Sequence, residues 1–269
     1  MIRAFLACWV AVAACRAQWT QPPFPPDTAK LERATLAEVL GLSCPGQEYV
    51  GQESGCHVCP ASSKRAGARG DASIVAAVRG HFLKPDSDDL LLDLNGCGPV
   101  LLSHSSSGWF ADRADALPDG PCRKLAGSDG RDGLLCYEAM MTTDREDARL
   151  TFWLLPDRKN DLAVAFDDTG GACDSPKRLV VQSAIQDVKF TSVAGGKATV
   201  TVTAPCRRGP LSERSRKACA RGPGFEDIGP TAPFRTFRIE YLFSGDAFSL
   251  TPPGAAAKRA YDACTAAPQ

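Results

Sequence analysis

Along most of this chain, short segments alternate apolar and polar residues, and this pattern constrains the fold more than any other feature. Alternation with a period of two places successive side chains on opposite faces of the backbone, which is typical of β-strands with one buried face. Residues 197–204 and 234–243 show it most clearly, and glycine and aspartate cluster between such segments. The sequence therefore predicts an all-β fold of short strands and tight turns.

The predicted strands occupy the chain from residue 73 almost to its end. They are 73–82, 89–94, 99–104, 108–112, 122–127, 133–141, 149–155, 161–166, 178–183, 185–193, 197–204, 234–243 and 247–252. Ser244-Gly245-Asp246 supplies a hairpin turn between the last two strands.

Helices and loops are predicted at the two ends of this series. Asp27 or Thr28 caps a short amphipathic helix that ends at Gly41, and residues 255–264 form a terminal helix. Residues 18–27 hold four prolines and are predicted to be an extended tether. The resulting boundaries are a leader (1–17), a tether (18–27), a short helix with a cysteine-rich loop region (28–70) and a β-rich domain (71–269).

A weak internal repeat lies in the β-rich domain. KPDSDDLLLDLNGCG (84–98) resembles LPDRKNDLAVAFDDTGGAC (155–173), and GSDGRDGLLC (127–136) is a fainter copy. The form resembles the FG-GAP, or integrin-α-like, propeller repeats of secreted bacterial proteins. That resemblance implies β-propeller blades and a role in binding or adhesion. Because the predicted strands suffice for only a few blades, we expect an incomplete or small propeller-like array of antiparallel meanders.

The acidic run Asp86, Asp88 and Asp89 precedes the apolar run Leu90-Leu91-Leu92. The three carboxylates are candidate calcium ligands, since calcium takes six to eight oxygen ligands. The FG-GAP calcium loop has the form Asp-x-Asp-x-Asp-Gly, and this run lacks the third spaced ligand and the glycine. The alternative is a polar turn before a buried strand, and the incomplete ligand spacing favours it.

Cysteine content indicates an oxidising compartment. Ten of the twelve cysteines lie beyond residue 17, and an even number there predicts five disulfides. They are Cys44, Cys56, Cys59, Cys97, Cys122, Cys136, Cys173, Cys206, Cys219 and Cys264. Cys122–Cys136 and Cys206–Cys219 are the favoured local pairs, because each would close a loop across a hairpin. Structural disulfides are also the favoured interpretation of the CxxC at 56–59.

The first residues predict export. Arg3 precedes an apolar stretch too short to span a bilayer, and Cys15 and Ala17 fit a signal peptidase site. We expect a signal peptide cut after Ala17 and a secreted or periplasmic protein. The alternative is lipid attachment at Cys15, since residues 12–15 resemble a bacterial lipobox, and an anchor in the envelope would follow. No later segment is predicted to span a membrane.

The segment CRRGPLSERSRKACAR (206–221) is strongly basic, although the 31 basic and 31 acidic residues of the chain cancel. A neutral chain gives no global steering toward nucleic acid, so we expect none as a partner. If Cys206 paired with Cys219, the segment would be a closed basic loop for an anionic glycan or a lipid headgroup. The alternative is a solvated loop. The candidate ligand-binding residues are Arg207, Arg208, Arg214, Arg216 and Lys217.

Catalytic motifs give little support to an enzyme. His104 is followed by three serines, but a nucleophile elbow is absent, so a serine-rich loop is the favoured interpretation. No phosphate-binding or dinucleotide-binding fingerprint occurs, and no cofactor is predicted. We expect a non-catalytic binding or structural protein. The alternative is a secreted hydrolase whose catalytic carboxylates are dispersed over several loops.

Overall fold

The computed structural model of the chain describes residues 22–43, 55–63, 66–67, 69–112, 116–141, 146–156, 158–169, 172–173, 179–193, 197–220 and 229–266. The leader with Cys15, the cysteine Cys44 and the side chain of Cys56 lie outside this part. The leader, lipid-anchor and disulfide predictions made for them stay predictions.

Helices and strands follow one another through the described residues. The helices are α1 (Arg33–Ser43), α2 (Glu213–Ala220) and α3 (Pro252–Thr265). The strands are β1 (Gly55–Val58), β2 (Arg69–Gly80), β3 (Asp88–Leu94), β4 (Gly98–Ser105), β5 (Gly108–Asp112), β6 (Cys122–Ala126), β7 (Asp132–Met141), β8 (Glu146–Leu154), β9 (Arg158–Asp167), β10 (Leu179–Ser183), β11 (Asp187–Val193), β12 (Lys197–Pro210), β13 (Arg235–Phe243) and β14 (Phe248–Leu250). None of these helices combines the length and the apolar character that a membrane span requires.

Strands β1 to β5 form one sheet, an antiparallel meander in which each strand pairs with the next along the chain. β3 is buried on both faces, which explains why Leu90-Leu91-Leu92 does not alternate with polar residues. Leu90 and Leu92 belong to a core cluster with Val39 of α1, whereas Leu91 belongs to a cluster with Leu134 of β7. The side chains of the apolar run therefore pack into two separate core clusters.

The second sheet has the strand order β14-β13-β12-β10-β9-β8-β7-β6, and β11 pairs in addition with β12. β12 pairs with β13 along one edge and, along its other edge, with β11 near its start and with β10 near its end. Its residues Val200, Val202 and Ala204 are fully buried, as their alternation with threonines predicts. β12 thus sets the register of three neighbouring strands.

Two tyrosines hold β9 in place. Tyr241 of β13 donates its hydroxyl to the carbonyl of Leu162, and Tyr261 of α3 donates to the carbonyl of Val164 at 2.9 Å. Burial raises the pKa of the Tyr241 hydroxyl. These hydroxyls satisfy buried carbonyl groups of β9.

The described residues divide into two compact units. One comprises the residues up to Phe24, Ala139–Leu150 and the residues from Asp161 onward; the other comprises Pro25–Glu138 and Thr151–Asn160. Strands β7, β8 and β9 contribute residues to both units.

Four disulfides join described cysteines, and one of the two predicted local pairs is wrong. The pairs are Cys59–Cys97, Cys122–Cys136, Cys173–Cys219 and Cys206–Cys264. Cys122–Cys136 is confirmed, since the two residues lie directly opposite each other in the β6–β7 hairpin. The Cys206–Cys219 prediction fails because β12 continues to Pro210. Cys206 is thereby held in a strand beside α3, whereas Cys219 lies on a separate helix, α2.

The described part of the predicted tether is hydrogen-bonded to the β-strands. The carbonyl of Pro23 accepts a hydrogen bond from the amide of Val188 at 3.0 Å, and Phe24 is only 4% exposed. Asp27 donates its amide to the carbonyl of Cys122 at 3.0 Å, and its carboxylate accepts from the amide of Lys124 at 2.6 Å. Asp27 thus occupies backbone groups of β6, which ends the order of the second sheet, and such contacts protect an edge strand from pairing with other chains.

The predicted loop region before residue 71 contains strand structure. β1 pairs with β2 in the register Cys56 with Ala72, and β2 already begins at Arg69. A strand of four residues carries too little sequence pattern to be recognised without its partner.

The described strands confirm an all-β fold with a short N-terminal helix, antiparallel meanders and disulfides, but they do not confirm a propeller. The sheets have five and nine strands and are open, whereas a propeller is built from four-stranded blades. The repeated segments at 84–98 and 155–173 each hold a turn and then a strand, β3 and β9, of different sheets.

Candidate anion-binding site

Arg207 lies near the end of β12, on the opposite face of the strand from Arg208. Its partner across the β10–β12 pair is Gln182, whose own partner across the β9–β10 pair is Asp167. Directly opposed residues of neighbouring strands present their side chains on the same face of a sheet. Register therefore places Asp167, Gln182 and Arg207 in one row across three strands.

The row is joined by hydrogen bonds. Arg207 Nε donates to Gln182 Oε1 at 2.7 Å, and Gln182 Nε2 donates to Asp167 Oδ2 at 2.8 Å. Asp167 Oδ1 accepts from the Thr169 amide at 3.0 Å and from its hydroxyl at 2.6 Å. Each carboxylate oxygen of Asp167 is thereby engaged, and the amide of Gln182 has one consistent orientation. The guanidinium of Arg207 is fixed at its Nε edge.

Two residues of the segment before β13 border the guanidinium. Its central carbon lies 4.4 Å from the ring centroid of Phe234, which is a cation–π contact. Phe234 is 49% exposed. At Gly229 a Cβ atom would lie 2.5 Å from Arg207 Nη2 and 3.4 Å from Gln182 Oε1. The absence of a side chain at Gly229 makes room for the guanidinium.

The outer, Nη edge of the guanidinium has no partner among the residues that the structure describes. An arginine carries five N–H donors, and the contact with Gln182 uses the one on Nε. Within the described residues, no carboxylate forms an ion pair with Arg207 and its Nη atoms have no hydrogen-bond partner. A half-buried arginine with free, oriented donors is suited to bind a carboxylate, sulfate or phosphate group.

In the described part of the chain, the other predicted cations of the basic segment contact other partners or face solvent. Arg208 donates Nη1 to the carbonyl of Ala263 at 3.2 Å, in the last turn of α3, where a cation is favourable to the helix. Lys217 pairs with Glu213 at 2.7 Å on α2. Arg214 and Arg216 are exposed on the same helix.

The prediction of one closed basic loop is therefore wrong. The segment consists of the end of a strand, followed by a helix that buries Ser215 and Ala218. Alternation along β12 sends Arg207 and Arg208 to opposite faces. Of the five predicted cations, Arg207 is the one that, in the described part, is oriented by a neutral side chain and lies against an aromatic ring.

Asp89 is a structural carboxylate. It is fully buried, and Oδ2 accepts from the amides of Phe82 (2.7 Å) and Leu83 (2.9 Å) and from the hydroxyl of Ser87 (2.6 Å). Oδ1 accepts from the hydroxyl of Ser103 at 2.8 Å. Four donors satisfy the carboxylate, and in doing so they fold the turn back onto β3 and β4.

Asp86 and Asp88 do not converge on Asp89. Asp88 forms a bidentate ion pair with Arg79 at 2.6 and 2.5 Å, and this hydrogen bonding lowers the pKa of Asp88. Asp86 is exposed and has a positive φ of 64°, as turn residues often do. In the ranges that the structure describes, no three His, Cys, Asp or Glu side chains group in a way that could hold a metal ion. The contacts support the polar turn.

The serines after His104 are not arranged as nucleophiles. Ser105 Oγ bonds with Ser107 Oγ at 2.8 Å and with the carbonyl of Gly108 at 3.2 Å. The ring of His104 lies against that of Trp109, with centroids 5.0 Å apart. The residues serve a turn between β4 and β5.

Sequence reasoning missed Asp167, Gln182, Gly229 and Phe234 as members of the site. No pattern in the sequence near Asp167, Gln182 or Gly229 marks them as site residues. Asp167 and Gln182 reach Arg207 through strand pairing, and Gly229 reaches it because the chain after α2 comes back to β12. Phe234 has such a pattern: the alternation of β13, continued back by one residue, places it on the polar face with Arg238, where an aromatic residue is out of place.

Compared with models of protein families, with curated proteins and with solved structures, the chain has no significant match.

Proposed function

We propose that this protein is an exported, disulfide-stabilised, non-catalytic binding protein that recognises an anionic group of a glycan or other envelope component at Arg207. The observation that carries the proposal is the orientation of the Arg207 guanidinium. Gln182 holds its Nε edge, Phe234 covers one face, and none of the described residues occupies the donors of its Nη edge. Four disulfides support an oxidising compartment.

The physical advantage of this arrangement is preorganisation. An arginine side chain in solution loses rotamer freedom when it binds, and this entropy opposes association. The side chain of Arg207 has already lost this rotamer freedom in the folded protein, because Gln182 and Phe234 hold it in place. Because the chain has no net charge, attraction should be local to this site rather than spread over the surface.

A binding measurement tests the proposal. The oxidised mature protein is applied to immobilised anionic polysaccharides, dextran sulfate and polygalacturonate, and eluted with salt. Arg207→Ala should elute at clearly lower salt than the wild type. Arg214→Ala removes the same charge from the exposed face of α2 and should elute near the wild type. Equal elution of the two variants, or no retention of the wild type at low salt, would overturn the proposal.

A hydrolase is the second candidate function, and Asp93 is the observation that favours it. Burial, together with the nearby charge of Asp119, raises the pKa of the Asp93 carboxyl to about 6. A carboxyl whose pKa is raised toward neutrality is suited to act as the general acid of glycoside hydrolysis. Turnover of a glycan panel that disappears in Asp93→Asn would establish this function. Absence of turnover by the wild type would contradict the hydrolase function.

A further inference from the structure

We infer that the Arg207 site takes a carboxylate carried on a sugar ring, as in a uronic-acid polysaccharide. The inference rests on the proposed function and names the ligand class for the same site.

Charge balance favours a monoanion. Asp167 lies beyond Gln182 in the hydrogen-bonded row and is linked through it to Arg207. Its negative charge partly offsets the field of the guanidinium at the ligand position. A group with close to two negative charges, such as a phosphate monoester, would meet more repulsion from Asp167 than a carboxylate would.

The number of convergent cations also favours a single carboxylate over an anionic membrane. Binding to a lipid surface takes several basic residues close together, each adding a small attraction. Arg208 faces α3, and Lys217 pairs with Glu213, so these cations do not extend the Arg207 site. One planar guanidinium edge instead matches the two oxygens of one carboxylate.

Phe234 supplies the apolar contact that a sugar ring requires. Its ring touches the guanidinium and remains 49% exposed. A pyranose ring carries C–H groups on its faces, and these groups pack favourably on an aromatic ring. A carboxylate attached to such a ring would therefore bring its sugar next to Phe234. A free inorganic anion would leave this surface uncovered.

The border at Gly229 is held rigidly. Ser215 of α2 is 1% exposed, donates its hydroxyl to the carbonyl of Gly229 at 3.1 Å and accepts from its amide at 3.0 Å. Cys219, on the same helix, is bonded to Cys173. The border of the site is thus tied into the fold, which limits the cost of ordering it on binding.

The test compares polymers that differ in their charged group. Polygalacturonate, its methyl ester, dextran sulfate and vesicles of phosphatidylglycerol are titrated into the oxidised mature protein by calorimetry. We expect polygalacturonate to bind and its methyl ester to bind at least about tenfold more weakly, since esterification removes the acceptor that Arg207 would use. Dextran sulfate and the vesicles should bind more weakly than polygalacturonate, because the oxygens of a sulfate ester or a phosphodiester are weaker hydrogen-bond acceptors than those of a carboxylate.

Matched variants assign the binding to the site. Arg207→Ala and Arg207→Lys should each lose about tenfold in affinity, because lysine keeps the charge but lacks the planar fork. Phe234→Ala should lose roughly three- to tenfold. Phe110→Ala, which removes a similarly exposed ring (45%) from β5, and Arg214→Ala should each change affinity by less than about twofold.

The outcomes separate the two proposals. Equal or tighter binding of dextran sulfate or vesicles, lost in Arg207→Ala, would overturn the carboxylated-sugar inference and leave anion binding at Arg207 standing. Polygalacturonate binding that is unchanged in Arg207→Ala and Arg207→Lys would overturn both. Absence of binding to every polymer, with the wild type folded by circular dichroism, would likewise overturn both.

Discussion

Arg207 and Gln182 lie directly opposite each other on β12 and β10, and Arg207 Nε donates to Gln182 Oε1 at 2.7 Å. Gln182 is neutral, so it orients the guanidinium without neutralising it. A carboxylate at this position would instead form an ion pair and compete with a ligand.

This relationship gives the first prediction. Gln182→Ala removes the acceptor and leaves the charge of Arg207 unchanged. We expect the affinity for an anionic polysaccharide to fall by roughly three- to tenfold, because the guanidinium regains rotamer freedom. Gln186→Ala, at an exposed glutamine before β11, is the control. Calorimetry measures both, and wild-type affinity in Gln182→Ala would contradict an orienting role for Gln182.

The second prediction concerns Asp89. Asp89→Ala leaves the amides of Phe82 and Leu83 and the hydroxyl of Ser103 without their acceptor in a buried turn, and we expect a loss of about 3–5 kcal/mol in the free energy of unfolding. Asp86→Asn is the control, since Asp86 is exposed and asparagine tolerates a positive φ. It should change stability by less than about 0.5 kcal/mol. Denaturant titrations with intact disulfides measure both, and similar effects of the two variants would contradict the structural role of Asp89.

The third prediction is the response to calcium. The carboxylate oxygens of Asp88 and Asp89 already bind Arg79 and four protein donors. We therefore expect the melting temperature to be the same in calcium and in EDTA. A ligand that binds the folded state raises the melting temperature. A rise with calcium that is lost in Asp86→Asn or Asp88→Asn would show that the acidic run binds the ion.

The fourth prediction is a pH dependence caused by Asp93. Its pKa is raised to about 6 in the folded protein, so the folded state binds a proton that the unfolded state has released above pH 4. This contribution to stability is complete below the unfolded pKa and is lost as pH rises through 6.

Asp93→Asn removes the ionisable group. We expect the variant to be more stable than the wild type by about 1–2 kcal/mol at pH 7.5, a figure reduced for the partial solvent exposure of Asp93. The difference should vanish near pH 3.5. Denaturant titrations at the two pH values measure it. A difference of the same size at both pH values would show that ionisation of Asp93 is not the cause.

The fifth prediction compares two helical glycines. A Cβ at Gly254 of α3 would lie 2.0 Å from the carbonyl oxygen of Glu240, so the helix would have to move away from β13. We expect Gly254→Ala to cost more than about 2 kcal/mol. At Gly41 of α1 a Cβ would meet nothing within 4 Å, and Gly41→Ala should stabilise by about 0.5–1 kcal/mol. Thermal and denaturant unfolding decide both, and a tolerated Gly254→Ala would refute the close packing of α3.

Several features of the fold followed from local sequence. Alternation predicted β12 and β13, and the predicted strand at 108–112 has the observed bounds of β5. Cys122–Cys136 was predictable because a hairpin brings residues that are near in sequence into direct opposition. These features depend on a period or a turn within a few residues, and a few residues of sequence therefore determine them.

The site and most of its supports depended on the tertiary structure. Arg207 could be named from the sequence as one of five cations, but only strand register separates it from Arg208 and places Gln182 beside it. The partner of Cys206 and the burial of Asp89 likewise depend on which elements pack together. The sequence by itself determined the strand pattern and the charges. Pairing between strands distant in sequence decided which charged side chains have partners within the protein and which are available to a ligand. The physical reason is that register and packing arise from contacts that local sequence pattern does not encode.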